Sequence, residues 1–351
     1  MANDLLTADR RPWASFCMST YKRPDFLEKQ IQCILQQTFT DFEVVISDND
    51  PEAGARAVVE KFNDARVRYY HNEQNLGMVK SFNSSLAKST GEYIVMITDD
   101  DPVYPDMLST LHDLSVRYPG FGVYHGGCEI LCYTPFSASV MRAKVGINSC
   151  LSSELDYDAE KLYSAEEFPH IFFKGRLGSL LLWSCGVVRR DIILKNGGMP
   201  DYGTEYFTDH AFIVANCSEA GVVYKNRALG HQAIHGGNFG FNQLKNIDKY
   251  KAIPAAFTGW VTERLQHRSD WPLLKTEMEE FTGNALVQFS LFIKKSLQQL
   301  KFDASDFNKA RNAVFSLPYL RKWKMKYKLL ADFPATFSYL LEMKQKFSGK
   351  S

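Results

Sequence analysis

Short apolar runs alternate with stretches of helical period along the first third of the chain. Ala14 to Met18 is a predicted strand, and it runs into the polar turn Ser19-Thr20-Tyr21-Lys22-Arg23-Pro24. Leu27, Ile31, Ile34 and Leu35 then recur at helical spacing and give one buried face. Phe42 to Ser47 predicts a second strand ending in Asp48-Asn49-Asp50-Pro51, Ala53 to Phe62 a helix, and Val67 to Tyr70 a third strand. Beyond the loop from Asn72 to Gly77, Val79, Phe82 and Leu86 mark another helix. The apolar run that starts at Tyr93 then ends abruptly in Thr98-Asp99-Asp100-Asp101. Pro105-Asp106 opens a helix with Met107, Leu111 and Leu114 inside, and Gly122 to His125 reads as a return to the sheet. Strands alternating with helices of about 10–15 residues predict βαβ units, hence an α/β fold with a largely parallel sheet.

From Cys128 to Phe168 the pattern loosens, and no element is predicted there. Gly178 to Val188 reads as a strand, followed by a helix that stops at Asn196-Gly197-Gly198. Asp209 stands at the head of an apolar helix running through Phe212, Ile213 and Ala215. Val222 to Asn226 predicts the last strand, and the glycine-containing loop after it holds His231 and His235. From Asn246 onward the pattern is wholly helical. This reading divides the chain into a flexible leader (1–13), an α/β unit (14–245, in halves 14–125 and 126–245) and a helical region (246–351).

Composition narrows the class. At 351 residues with a net charge of +1, bulk electrostatics point to no nucleic-acid partner. The seven cysteines are scattered and mostly in apolar context, which fits reduced thiols and a cytoplasmic protein. Cys128 and Cys132 lack a second pair for zinc and read as core. The leader has no signal-peptide core, and no run of about 18 apolar residues predicts a membrane span. Near the carboxyl end, Arg321, Lys322, Lys324, Lys326 and Lys328 interleave with Trp323, Met325 and Tyr327. Such a segment suits either peripheral contact with an anionic membrane, at the inner face of the plasma membrane, or a packed helix with a solvated basic face.

Three predicted strand ends carry unusual polar residues: Thr20 to Arg23, Asp48 to Asp50 and Asp99 to Asp101. Open α/β sheets bind ligands outside the carboxyl ends of their strands. Three adjacent carboxylates repel one another unless a cation or a set of donors shares them, and hard oxygen ligands of this kind suit Mg²⁺ or Mn²⁺. The dinucleotide and P-loop glycine fingerprints are absent. Asp209 could cap its helix or serve as a base.

Several of these segments resemble the inverting family 2 glycosyltransferases with the GT-A fold. Met18 to Arg23 resembles the turn that holds uracil and ribose, which implies Thr20, Tyr21 and Arg23 as nucleotide contacts. Gln36 to Glu43 is similar to the family's QTYxDFE connection. Val45 to Asp50 is similar to the segment whose first acid, here Asp48, meets the base. Asn75-Leu76-Gly77 resembles the NxG turn, with Asn83 at the later asparagine. Phe82 replaces an arginine there, so Lys80 is a candidate for the anionic contact. Thr98 to Asp101 followed by Pro105-Asp106 resembles the DxDD-then-PD pattern with its leading acid replaced. That implies Asp100 as metal ligand, Asp101 helping, and Asp99 on the nucleotide side. Gly197 to Asp201 resembles GGFDE, and Thr208-Asp209 stands where the ED motif carries the catalytic base. His235-Gly236-Gly237-Asn238 resembles RxHGGN, whose histidine can complete the metal or diphosphate site.

The resemblance implies a Mn²⁺- or Mg²⁺-dependent inverting transfer. The donor would be a nucleoside-diphosphate sugar, UDP-sugar first, and the acceptor a glycan or lipid-linked oligosaccharide of surface-polysaccharide synthesis. A silent carbohydrate-binding scaffold and a sugar nucleotidyltransferase are the competing readings. The latter would want a glycine-rich loop with arginine after the first strand, and Ser19 to Pro24 is not one.

Overall fold

The computed structural model describes residues 11–175, 182–238 and 246–332. The first strand, β1 (Ala14–Thr20), lies at the centre of a parallel group. It pairs on one side with β2 (Phe42–Asp48), itself flanked by β3 (Val67–His71), and on the other with β4 (Tyr93–Thr98). Between them run α1 (Pro24–Leu35), α2 (Arg56–Glu60) and α3 (Met78–Lys88). Strand order 3-2-1-4 puts a topological switch point between β1 and β4, where crossovers leave in opposite directions and a crevice opens at the strand ends. In register, Thr20 faces Asp48 and Ser19 faces Thr98, so all three loaded strand ends meet there.

Past α4 (Met107–Arg117) the sheet becomes mixed. β5 (Val123–Cys132) carries β6 (Gly146–Ser149) antiparallel beyond α5 (Pro135–Met141). Next come β7 (Glu160–Tyr163), α6 (Phe168–Phe173), β8 (Gly186–Arg189), α7 (Arg190–Lys195), α8 (Thr208–Ala220) and β9 (Val222–Ile234). Among the described residues the sheet has nine strands, ordered 3-2-1-4-8-5-9-7 with β6 on β5. β8 pairs antiparallel with β4 and β5, β7 pairs antiparallel with β9, and β5 pairs parallel with β9.

Alternation within the strands feeds two cores. Phe16, Met18, Val95 and Ile97 pack under α1, α2 and α4, while Cys17, Ile94 and Met96 face α3 and α6 to α8. Among the described residues the carboxyl-terminal helices are α9 (Ile247–Leu265), α10 (Trp271–Gln299), α11 (Ser305–Val314) and α12 (Trp323–Asp332). They bring Tyr250, Phe257, Phe281 and Leu286 into the second core, so the helical region is continuous with the sheet in packing. None of the described helices is long and apolar enough to cross a membrane. In α12, Tyr327 is buried and accepts from Arg311 Nη1 at 2.9 Å, and Trp323 packs against the same core. The aromatic residues of the basic segment therefore face protein.

Several expected boundaries move. The helix expected over Ala53–Phe62 is only α2, because Asp48 and Asp50 fold residues 50–55 into turns: Asp48 accepts from the backbone N–H of Asp50 and Ala55, and Asp50 from that of Glu52. The stretch from Cys128 to Phe168, where no element was expected, holds the end of β5, α5, β6 and β7. Its strands are short and at the sheet's margin, so alternation is weak. The strand expected from Gly178 is β8 alone, preceded by a tight turn at Trp183–Cys185, and 176–181 lie outside the described residues. The last strand runs on to Ile234, so His231 sits within it and only His235 lies beyond its end. Gly230 makes this extension possible. The strand crosses close to the segment after the aspartates, and a Cβ at Gly230 would sit 2.8 Å from the Pro102 carbonyl oxygen.

Gly230→Ala is therefore expected to destabilise the fold by about 1–3 kcal/mol, the usual cost of forcing atoms into a filled space. Urea denaturation measures it, and an unchanged midpoint would mean that the two segments separate freely.

Candidate active site

The acidic triplet sits at the switch point with its charge already shared out. Asp99 accepts from the Thr20 hydroxyl at 2.8 Å and from Arg23 Nη1 at 3.2 Å. The same Arg23 nitrogen donates to Asp100 Oδ2 at 2.8 Å, and Nη2 donates to the Gly237 carbonyl at 2.6 Å. His235 Nε2 lies 3.1 Å from the same Asp100 oxygen. Asp101 turns aside: its Oδ1 accepts from the Ala233 backbone N–H at 2.9 Å, and its carbonyl accepts from Gln30 Nε2 at 2.8 Å.

These environments split three identical side chains. Burial, with the charge of Asp100 beside it, pushes Asp99 up to about 6 and Asp101 up to about 8. Burial also acts against Asp100, but the His235 hydrogen bond and the Arg23 charge outweigh it and hold its carboxyl below the usual range. Asp100 is thus the member of the triplet most strongly kept as an anion.

The histidine is positioned from three sides. Its ring stacks on Phe26 with centroids 4.6 Å apart. Its backbone N–H donates to Asn238 Oδ1 at 3.0 Å, and Asn238 Nδ2 donates to the Ala233 carbonyl at 2.6 Å. Phe26, in the first turn after Pro24, reads in the sequence as one more apolar helix residue, and Asn238 appears there only as the end of the HGGN element, with no role of its own.

The donor set bears directly on a divalent cation. No group of three His, Cys, Asp or Glu side chains converges among the described residues. Mg²⁺-type ions are nevertheless commonly held by one or two protein ligands plus substrate phosphates, with ligand atoms at about 2.1 Å in octahedral geometry. Neighbouring ligands then lie about 3.0 Å apart. Asp100 Oδ2 and His235 Nε2, 3.1 Å apart, fit that spacing once Arg23 swings off the carboxylate. Asp101, tied to the backbone of β9, is not placed to join them.

The other predicted contacts divide into two sets. Tyr21 lies exposed beyond the end of β1, and Lys80 is exposed on α3. Asp48 faces inward, where besides its two backbone bonds it accepts from the Tyr69 hydroxyl at 2.7 Å. Asn75 Oδ1 accepts from Asn49 Nδ2 at 2.7 Å and from the Gly77 N–H at 2.8 Å, which fixes the turn opening α3.

Asp209 lies in the first turn of α8. Its carboxylate accepts from the His210 backbone N–H at 2.8 Å and pairs with His210 Nδ1 at 2.7 Å. The side chain is 51% exposed although protein atoms crowd around it. That crowding acts to raise its pKa, and the neighbouring His210 more than reverses the effect, so the carboxyl lies below its ordinary value. The same crowding opposes charge on His210, which Asp209 overcomes, leaving the imidazole above its ordinary value.

The approach to α8 is tied to the nucleotide half. Asn83 Nδ2 donates to the Met199 carbonyl at 3.0 Å and its Oδ1 accepts from the Met199 N–H at 2.8 Å. Gly198, with φ +76°, leaves room for this clamp, since a Cβ there would meet Asn83 Oδ1 at 2.4 Å.

Known proteins are similar to this chain in part of its sequence and in its fold. Residues 15–119 match the family model described as glycosyl transferase family 2. Over these residues the chain is similar to glycosyl transferase family 2. One relative, the GalNAc(5)-diNAcBac-PP-undecaprenol beta-1,3-glucosyltransferase of Campylobacter jejuni, is 30% identical over 122 residues, covering 34% of this chain and 39% of its own. Another, the UDP-Glc:alpha-D-GlcNAc-diphosphoundecaprenol beta-1,3-glucosyltransferase WfgD of Escherichia coli, is 28% identical over 87 residues, covering 25% of this chain and 34% of its own. The chain thus spans well under half the length of these relatives in alignment. In fold it is similar to S. aureus TarS 1-349 in complex with UDP-GlcNAc, with a TM-score of 0.60 at 14% identity over 91% of this chain and 90% of that one. The family's GT-A sheet with flanking helices is the fold described above.

The Asp209–His210 pair yields a pH prediction. A raised imidazole pKa contributes stability that is fully present below its unfolded value and is lost as pH rises through the folded value. The depressed carboxyl contributes above its own unfolded value and is lost only as pH falls through the folded one. The melting-temperature gap between wild type and His210→Gln should therefore be wider near about pH 5.5 than near about pH 9. Thermal unfolding across pH measures this, and a gap that does not vary would mean that the two groups are uncoupled.

Proposed function

We propose that this protein is a divalent-metal-dependent inverting glycosyltransferase that moves a sugar from a nucleoside diphosphate, UDP by preference, to a hydroxyl of a lipid-linked glycan acceptor in surface-polysaccharide synthesis. The observation that carries the reading is the grouping of Asp100, His235 and Arg23 at the switch point, with a separate accessible carboxylate at Asp209. The named relatives act on undecaprenol-diphosphate-linked glycans, and the structural relative was solved with UDP-GlcNAc; both support this choice of partners. A mannosyltransferase of Pyrobaculum calidifontis solved with GDP-Man and Mn²⁺ has the same fold at TM-score 0.50, which is in keeping with a metal in this crevice.

In this reading residues 14–125 form the nucleotide half and 126–245 the acceptor and catalytic half. Thr20, Tyr21 and Arg23 border the ribose and diphosphate, Asn75 shapes the base-side turn, Asp48 supports it from beneath, and Lys80 is the remaining candidate for an anionic contact. Asp99 faces the nucleotide. Asp100 and His235 would hold Mn²⁺ or Mg²⁺, which supplies positive charge against the leaving diphosphate. Arg23, bonded to Asp99, Asp100 and Gly237, is placed to pass from the carboxylates to a phosphate oxygen and so offset the same charge.

The acceptor oxygen attacks the anomeric carbon from the side opposite the diphosphate. The new C–O bond forms as the bond to the phosphate oxygen breaks with its electron pair, which inverts the centre. The acceptor proton passes to Asp209. Its low pKa keeps it unprotonated at neutral pH, and a hydroxyl attacking an electron-poor carbon becomes acidic enough to yield its proton to it.

The carboxyl-terminal basic segment offers exposed Lys324, Met325, Lys328 and Leu329 for peripheral contact with an anionic membrane.

Asp209→Asn should lower transfer by about 10²- to 10⁴-fold while sugar-nucleotide affinity stays within about twofold. Paired measurements of product formation and donor binding decide it. Turnover near wild type in the variant would remove Asp209 from the chemistry.

A further inference from the structure

Among the described residues, the sheet carries an exposed apolar strip that begins beside His235. In the β5–β6 ribbon, Leu131 pairs with Ile147 and Cys132 with Gly146, while Leu131 also pairs with Ala233 of β9. Pleating sends Ile130 and Cys132 to one side, where they pack with Ala138, Met141, Ala143 and Ile234. The opposite side holds Tyr133, Val145 and Ile147, which are 54%, 54% and 50% exposed. The Tyr133 ring is 6.3 Å from the His235 ring, edge to face. A row of apolar side chains thus leads from the site to the sheet's margin.

Glu129, next along the same face as Leu131, is mostly covered, accepting from the Tyr104 hydroxyl at 2.6 Å and lying 3.2 Å from His231 Nε2, and beyond it the rim is cationic. From Ile130 to Ser153 the sequence contains no aspartate or glutamate. Arg142, in the left-handed conformation that ends α5, and Lys144 are both exposed at its rim. Lys295 of α10 reaches in behind them to the Ser139 carbonyl. A β edge with an aromatic ring, two branched aliphatic side chains and a cationic rim has the makeup of a surface that enters the headgroup boundary of an anionic bilayer.

We propose that the outer face of the β5–β6 ribbon, with Tyr133, Val145 and Ile147 at its centre and Arg142 and Lys144 at its rim, docks on an anionic lipid surface. Docked in this way, the crevice at His235 opens toward the membrane, where the diphosphate of a lipid-linked acceptor lies. This last step rests on the glycosyl-transfer reading, whereas the docking itself does not.

The test is flotation of the full chain with vesicles of phosphatidylglycerol and phosphatidylethanolamine, against vesicles of phosphatidylcholine alone. Wild type should partition to the anionic vesicles, and Val145→Asp/Ile147→Asp and Arg142→Glu/Lys144→Glu should each lower that partition by about tenfold. Lys324→Glu/Lys328→Glu serves as the comparison, and thermal melts verify that each variant is folded. The inference is overturned if wild type floats with neither vesicle or equally with both, or if the ribbon variants float like wild type. It is also overturned if only the comparison variant loses partition, or if sedimentation shows that the ribbon variants split a dimer while vesicle binding persists. UDP-sugar binding, measured without vesicles, keeps the two claims separate: donor binding without flotation rejects the docking surface and leaves the glycosyl-transfer reading intact, and flotation without donor binding does the reverse.

Discussion

Three carboxylates in succession at the end of a buried strand must be compensated, and much of the surrounding structure is the means of doing so. The neighbours that share their charge come from two distant parts of the chain: Thr20 at the end of β1 with Arg23 in the turn after it, and Ala233 in β9 with His235 just beyond it. Unpaired, such buried charges would neutralise by taking up protons, and two of the three are already displaced in that direction. The partners therefore hold the strand ends together while leaving one anion, Asp100, available for a ligand.

The same constraint joins the two halves of the α/β unit. Arg23 links the nucleotide-side turn to the His235 loop through the Gly237 carbonyl, and the Asn83 clamp links α3 to the segment before α8. In the proposed reading, the diphosphate of a bound nucleotide competes with the carboxylates for Arg23. The guanidinium would then release the carboxylates as a new anion arrives, which couples donor binding to the position of the loop over the site. The carboxyl-terminal helices brace this arrangement from the other side: Phe281 of α10 packs 5.7 Å from the His210 ring, and Lys249 of α9 pairs with Glu205 just before α8.

Much of this was legible in the sequence because it rests on local pattern. The run from Tyr93 into three aspartates, the helical spacing from Leu27 to Leu35 and the order of loaded strand ends are all properties of neighbouring residues, and they lead to the parallel half of the sheet and its switch point. What was not legible depends on contacts between distant segments. β9 runs through a glycine-containing stretch because Gly230 can lie against Pro102, a relation more than a hundred residues long. The solvent-facing side of the β5–β6 ribbon carries Tyr133, Val145 and Ile147 where a half-buried ribbon would carry polar residues, so the usual alternation is missing from the sequence. Asp101 reads as a helper to Asp100 until β9 places the Ala233 N–H against it. Phe26 and Asn238 gain a role only from the position of His235.

The central claim is that Asp100 and His235 provide a divalent-cation site completed by a nucleoside diphosphate. Calorimetric titration of UDP in the presence and absence of Mn²⁺, on wild type and Asp100→Asn, tests it most directly. Wild type should bind UDP at least about tenfold more tightly with Mn²⁺ than without, and the variant should lose that enhancement. Equal UDP affinity with and without Mn²⁺ in wild type, or an undiminished Mn²⁺ effect in the variant, would contradict it.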